Sequence, residues 1–186
     1  MDINETLYVV TRNEWRSWLD ANYEIKSEIW LISYRKHTGR PSIPYNDAVE
    51  EALCYGWIDS IRKGIDENSN AQRFTPRKAG SSYSQTNKER LARLVTQGKV
   101  IPSVLDNLGD YRPDTYEIPD DILSALQADE GAWIFFEGTS PSYQRIRTAY
   151  VDVARKRPGE FEKRLGNLIK LSSQCKQFGY GIEDYY

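Results

Sequence analysis

Patterns that form β-strands stop before residue 100 in this chain, and that division constrains the fold more than any other feature. Residues 7–10, 28–36, 57–62 and 72–76 carry β-formers or strict alternation, whereas only helical periodicity remains from Asp120 onward. Any sheet must therefore be assembled within the first hundred residues. Over 28–36, Ile29, Leu31 and Ser33 oppose Trp30, Ile32 and Tyr34, so both faces are largely apolar and the strand belongs inside the sheet. The expected fold class is α+β: a small, mainly antiparallel sheet with flanking helices, followed by a helical C-terminal extension.

Local signals set the boundaries. Thr11 and Glu14 fit a capping box, in which a hydroxyl and a carboxylate satisfy free N–H groups at a helix start. The helix that follows carries Trp15, Trp18 and Leu19 on one stripe. A second helix starts near Asn46, buries Ala48, Val49, Ala52 and Leu53, and stops at Gly56. The polar run 66–70 joins two strands as a hairpin-type connection. Another helix opens near Ser84, buries Leu91, Leu94 and Val95, and ends at Gly98. Residues 111–119 have no period and read as a linker. Helices follow over 120–128 and 130–137, then from Ser140 as N-cap with Pro141 at the first position, and finally over 158–177. The chain divides on this reading into an α+β core domain (1–110), a linker (111–119), a helical part (120–178) and a mobile tail (179–186).

Composition narrows the function. The 186 residues include one histidine, His37, which rules out multi-histidine metal sites and sits on a turn beside Gly39 and Pro41. Two cysteines, Cys54 and Cys175, cannot build a cysteine-rich zinc site, and neither a phosphate-loop spacing nor a glycine-rich dinucleotide motif occurs. No cofactor is expected. A net charge of −2 disfavours a chain built to coat nucleic acid. Residues 1–6 are acidic and polar, without the pattern of a secretory signal. The richest apolar run, 132–136, is far short of the ~20 residues of a membrane span. These features read as a cytoplasmic protein with both thiols reduced.

Charge is segregated along the chain. Residues 60–99 carry +6 and residues 100–140 carry −8. Internal matching of the two stretches explains this; the sharper reading is an anion site on the basic stretch. If the strands over 57–62 and 72–76 pair, alternation sets Trp57 and Asp59 on one face, with Arg73, Thr75 and Arg77 sharing a face of the partner. Asp59 opposite Arg73 or Arg77 would hold a guanidinium in a bidentate pair. The run Ser82, Tyr83 to Asn87 opens a helix, whose free N–H groups favour negative charge. Trp57, Asp59, Arg73, Thr75, Arg77, Ser82, Tyr83 and Asn87 are thus the expected ligand-binding residues, walled by Trp57 and Tyr83. The same residues also suit a purely structural network.

Other candidates are weaker. Cys54 lies in the last turn of a helix, where the dipole disfavours a thiolate, and reads better as a small buried residue. Glu50 and Glu51 are neighbours on a helix and point apart, so a shared carboxylate site is not expected. Arg145, Arg147, Arg155, Lys156 and Arg157 form a basic edge, read as a solvated helix face. The favoured function is a non-enzymatic binding module for an unknown anionic small molecule or acidic peptide group. A hydrolase- or transferase-type enzyme using Asp59 or Cys54 stays open beside it, as does a nucleic-acid or protein-interaction module.

Several strings carry a family resemblance: 15–19, the run 48–59 that includes Leu53, Cys54, Gly56, Trp57 and Asp59, 73–77, and Asn87 after Tyr83 and Ser84. Residues 132–170, with Phe136, Ser140, Ser142 and Arg145, continue it. The chain resembles the YdeI/OmpD-associated, or bacteriocin-protection, family. Tyr83 stands where that family more usually has Trp, which keeps an aromatic wall. The resemblance implies a role in resistance to bacteriocins or cationic antimicrobial peptides, sometimes at the envelope, and implies no reaction, cofactor or catalytic residue.

Overall fold

The computed structural model describes residues 2–78 and 80–179, so the expected tail lies outside the described residues beyond Gly179. The chain forms two compact units, Met1–Ser82 with Arg93–Gly109, and Tyr83–Ala92 with Asp110–Tyr186.

The first unit is built on four strands, β1 (Thr6–Leu7), β2 (Ile29–Tyr34), β3 (Trp57–Gly64) and β4 (Ser69–Pro76), ordered β1-β2-β4-β3. β1 runs parallel to β2, and the other pairs are antiparallel. The fold is α+β, and β2 is an interior strand. β1 is shorter than its β-forming residues suggest, because the capping box claims the backbone just beyond it. The Glu14 carboxylate accepts from Val10 N (2.7 Å) and Thr11 N (3.0 Å), while Thr11 Oγ accepts from Glu14 N (3.2 Å).

That box starts α1 (Arg12–Asn22), which packs with α2 (Tyr45–Cys54) on the sheet face carrying Phe74. The fully buried Trp15 lies 5.4 Å from the Phe74 ring, and its Nε1 donates to Ala48 O at 2.9 Å. Trp18 stacks on Trp15 and meets the edge of Trp57. α2 ends where Gly56 turns the chain at φ +70°, and a Cβ there would sit 3.2 Å from Val104 of α4 (Pro102–Leu105). Between Asp59 and Arg62 the β3–β4 register slips through a bulge, so that Asp59 faces Phe74 and Arg62 faces Gln72.

Helix α3 (Gln85–Thr96) begins as expected at Ser84, whose Oγ accepts from Asn87 N at 3.3 Å. Four helices complete the second unit: α5 (Asp120–Gln127), α6 (Glu130–Glu137), α7 (Pro141–Asp152) and α8 (Glu160–Ser173). Their apolar stripes meet in a core of Ile122, Leu126, Phe136, Tyr143, Val151 and Leu168. Ser140 caps α7 by accepting from Tyr143 N at 3.1 Å. α8 is shorter than the 158–177 pattern, since Gly159 is left-handed before it and Cys175 is left-handed after it. Residues 111–119 contain one 3₁₀ turn, Pro113–Thr115.

Candidate functional site

Six of the eight expected ligand-binding residues fall in the first unit, and Tyr83 and Asn87 fall in the second. Within the sheet, the register separates two groups. Trp57 faces Pro76 and Asp59 faces Phe74, whereas Arg73 faces Trp30 and Thr75 faces Ile58. Directly opposed residues share a face, so Trp57 and Asp59 lie on the helix-covered face and Arg73 and Thr75 on the other. The expected pair between Asp59 and Arg73 is therefore absent. Asp59 Oδ2 instead accepts from Tyr45 OH at 2.7 Å, and Arg73 Nε donates to Glu28 at 2.7 Å. Hydrogen bonds from Asn4 and Arg73 hold the Glu28 carboxyl below its ordinary range.

Trp57 belongs to the core. It is 1% exposed, and its Nε1 donates to Tyr23 O at 3.2 Å. Arg77 and Ser82 do come together: Arg77 Nη2 donates to Ser82 O at 3.0 Å and to Ser81 O and Oγ at 3.1 Å. That guanidinium orders the loop after β4. Asn87 uses its Oδ1 to accept from Arg90 at 2.9 Å, and Tyr83 lines a cleft of the second unit.

A cleft of about 200 Å³ opens on the helix-covered face of the sheet. Leu31, Ile43, Ala48 and Phe74, each no more than 7% exposed, supply its apolar lining, and Ser33, Ser42, Tyr45 and Gln72 add polar groups. Its charged residue is Arg62. Strict alternation would put Arg62 on the face of Ile58, but the bulge changes the parity and brings it beside Gln72, on the face of Asp59. Its guanidinium has no hydrogen-bond or ion-pair partner among the described residues. Sequence reasoning missed it because nothing in 57–62 marks a bulge.

Glu50 and Glu51, which as helix neighbours were expected to point apart, meet in one ion cluster. Both are nearly inaccessible, at 2% and 3% exposure. Arg12 bridges them, at 2.7 Å to Glu50 and 2.8 Å to Glu51, and reaches Asp47 at 3.2 Å. Arg16 holds Glu51 at 2.8 Å and Arg93 holds Glu50. Burial pulls the Arg12 pKa down, and the bonds to Glu50 and Glu51 more than offset it. The available signal was the apolar surround: residues 48–54 are all buried, so α2 has no solvated side there for a carboxylate.

The nucleophile reading of Cys54 fails on burial. The thiol is fully buried, and burial, helped by Glu51, pushes its pKa up to about 11. In the second unit the expected basic edge is largely spent within the fold. Arg145 grips Glu89 with Nε at 2.7 Å and Nη2 at 3.1 Å, and Arg155 grips Asp121 at 2.7 and 2.8 Å. Arg147 is buried rather than solvated. Among the described residues, no cluster of His, Cys, Asp and Glu could hold a metal ion, and no helix is long and apolar enough to cross a membrane.

Residues 7–107 match the family model described as Domain of unknown function (DUF8412), and residues 115–174 match the one described as Bacteriocin-protection, YdeI or OmpD-Associated. The chain belongs to the DUF8412 family and carries a YdeI/OmpD-associated segment. No curated protein and no solved structure matches it. Phe136, Ser140, Ser142 and Arg145 lie inside the YdeI/OmpD-associated segment, whereas the strings at 15–19, 48–59 and 73–77 lie in the DUF8412 stretch. Structure gives those segment residues concrete duties: Phe136 is core, Ser140 caps α7, and Ser142 (3.1 Å) and Arg145 fasten Glu89 of α3.

Proposed function

We propose that this DUF8412 protein is a non-enzymatic binding module whose first unit takes a small carboxylate in the Arg62 cleft. One observation carries the reading: a guanidinium without a partner among the described residues lines a cleft with an apolar floor. Arginine matches a carboxylate with two parallel N–H donors, and the floor of Leu31, Ile43 and Phe74 accepts a short apolar body. The anion site is thus moved from Arg73 and Arg77, which serve Glu28 and the 81–82 loop, to Arg62. A free acid and the C-terminal carboxylate of a peptide present the same chemistry. For a chain with a bacteriocin-protection segment, this makes protection a matter of holding a ligand rather than cleaving a bond. Unpaired Cys175, exposed to solvent, supports a reducing compartment and so the cytoplasm.

The test is an NMR titration of the whole chain with short-chain carboxylic acids, their matching alcohols, and a short peptide in acid and amidated form. Saturable shifts at Ser33, Ser42 and Gln72 with the acids, lost in Arg62→Gln, support the site. Equal binding of acid and alcohol, or binding that survives Arg62→Gln, overturns it.

A further inference from the structure

The second unit has a cleft of its own, about 470 Å³, between the start of α3, the 110–116 loop and α7. Its size is that of ordinary small-molecule sites. Three tyrosines, Tyr83, Tyr116 and Tyr150, line it together with Ile146 and Ala149 of α7.

Polar groups converge at the α3 end. Gln85 is 8% exposed, and its Nε2 donates to Glu89 Oε1 (3.2 Å) and to Pro113 O (2.8 Å). Both partners accept these bonds, which fixes the amide orientation and leaves Oε1 as an acceptor uncommitted among the described residues, in a side chain that lines the cleft. Glu89 is in turn clamped by Arg145 and Ser142, so the amide stands on a rigid base. In the first turn of α3, Ser84 occupies Asn87 N and Lys88 N. The N–H groups of Gln85 and Thr86 have no protein partner among the described residues and lie at the positive end of a twelve-residue helix. Lys88, also lining the cleft, spends two of its three protons on Asp110 (2.6 Å) and Thr115 (3.1 Å).

The cleft thus offers donors and positive potential at one end, aromatic and aliphatic walls along its length, and one acceptor on a largely buried side chain. We infer that it binds a small aromatic acid carrying a ring hydroxyl. The carboxylate sits on the Gln85 and Thr86 N–H groups, the ring packs among the tyrosines, and the hydroxyl donates to Gln85 Oε1. This site is independent of the Arg62 cleft, which lies in the other unit of the chain.

The probe is 4-hydroxyphenylacetate, titrated into the whole chain and followed by amide NMR. Saturable shifts at Gln85 and Thr86 are expected, with the neutral analogue 4-hydroxyphenethyl alcohol at least about tenfold weaker for want of charge-assisted bonds. Ala149→Trp fills the cleft and abolishes the shifts. Thr86→Pro deletes one donor where a helix tolerates proline, and weakens binding about tenfold. Arg62→Gln leaves this binding unchanged, which separates the outcome from that of the first-unit cleft. Equal affinity for acid and alcohol, shifts that persist in both α3 and α7 variants, or no saturable shift at all would each overturn the assignment.

Discussion

Replacing Arg12 by methionine removes the one side chain that joins Asp47, Glu50 and Glu51 while keeping its apolar stem. The Glu50 and Glu51 side chains are 3% and 4% exposed, and Arg12 itself is 31% exposed. An exposed pair contributes about 0.2–1 kcal/mol, whereas breaking a buried pair costs about 3–5 kcal/mol because a buried charge is stranded. Water reaches the guanidinium but not the carboxylates, and Arg16 and Arg93 still hold one carboxylate each, so the lower end applies, about 3 kcal/mol. The assay is urea unfolding followed by tryptophan fluorescence. Trp15, Trp18, Trp30 and Trp57 lie in the first unit, and the fifth tryptophan, Trp133, lies in the second. At an m-value of ~2 kcal/mol/M, the midpoint falls by about 1.5 M. In a Glu50→Gln background the same replacement should cost at least ~1 kcal/mol less, since the two side chains are coupled. A loss below about 1 kcal/mol with unchanged slope would place the cluster among ordinary surface pairs and refute the reasoning.

Thiol titration gives a second check: in native protein, Cys175 reacts promptly with a disulfide reagent and Cys54 reacts only on unfolding. Because burial raises the Cys54 pKa to about 11, its contribution to stability is present below the unfolded thiol range and lost as pH rises toward that value. Cys54→Ala should flatten that part of the alkaline stability profile. Thr11→Ala removes one half of the capping box and should cost about 1 kcal/mol in chemical unfolding. The other half titrates: N–H groups of Val10 and Thr11 depress the Glu14 pKa, so its support is present above the unfolded carboxyl range and lost as pH falls through the folded value, a loss that Glu14→Gln should remove from the acid limb. Gly56→Ala forces a side chain into a left-handed turn against Val104 and should destabilise the first unit by about 1–2 kcal/mol, measurable in the same urea assay.

Features written in local spacing were legible. The capping box at Thr11 and Glu14, the interior position of β2, the α3 start at Ser84 and the Ser140–Pro141 opening of α7 each depend on residues a few positions apart, and each is present. What failed depended on parity or on partners distant in sequence. Face assignment along β3 assumed unbroken alternation, and the bulge after Asp59 reversed it for Arg62. The Asp59–Arg73 pair failed because the register set Asp59 against Phe74, one residue away from either neighbouring side chain on the required face. Glu50 and Glu51 were not expected to share a site because adjacent helix positions diverge by about 100°, yet arginines arriving from α1 and α3 are long enough to close that angle.

These errors share a physical cause that also bears on where ligands bind. An arginine in regular structure is surrounded at fixed intervals by positions where a carboxylate can be placed, and here it usually finds one: Arg12 and Arg16 with Glu51, Arg73 with Glu28, Arg145 with Glu89, Arg155 with Asp121. Sequence-level density of positive charge is then a poor guide to an anion site, since the densest stretches also have internal partners; Lys88 of the basic stretch closes on Asp110 of the acidic one. Two sets of donors left over beside clefts arise where regularity breaks. Arg62 is thrown out of register by a bulge, and the N–H groups of Gln85 and Thr86 precede the first repeat of a helix. A site for an external anion in this chain is therefore better sought at backbone irregularities beside a cleft than at clusters of positive residues, and both proposed sites meet that condition.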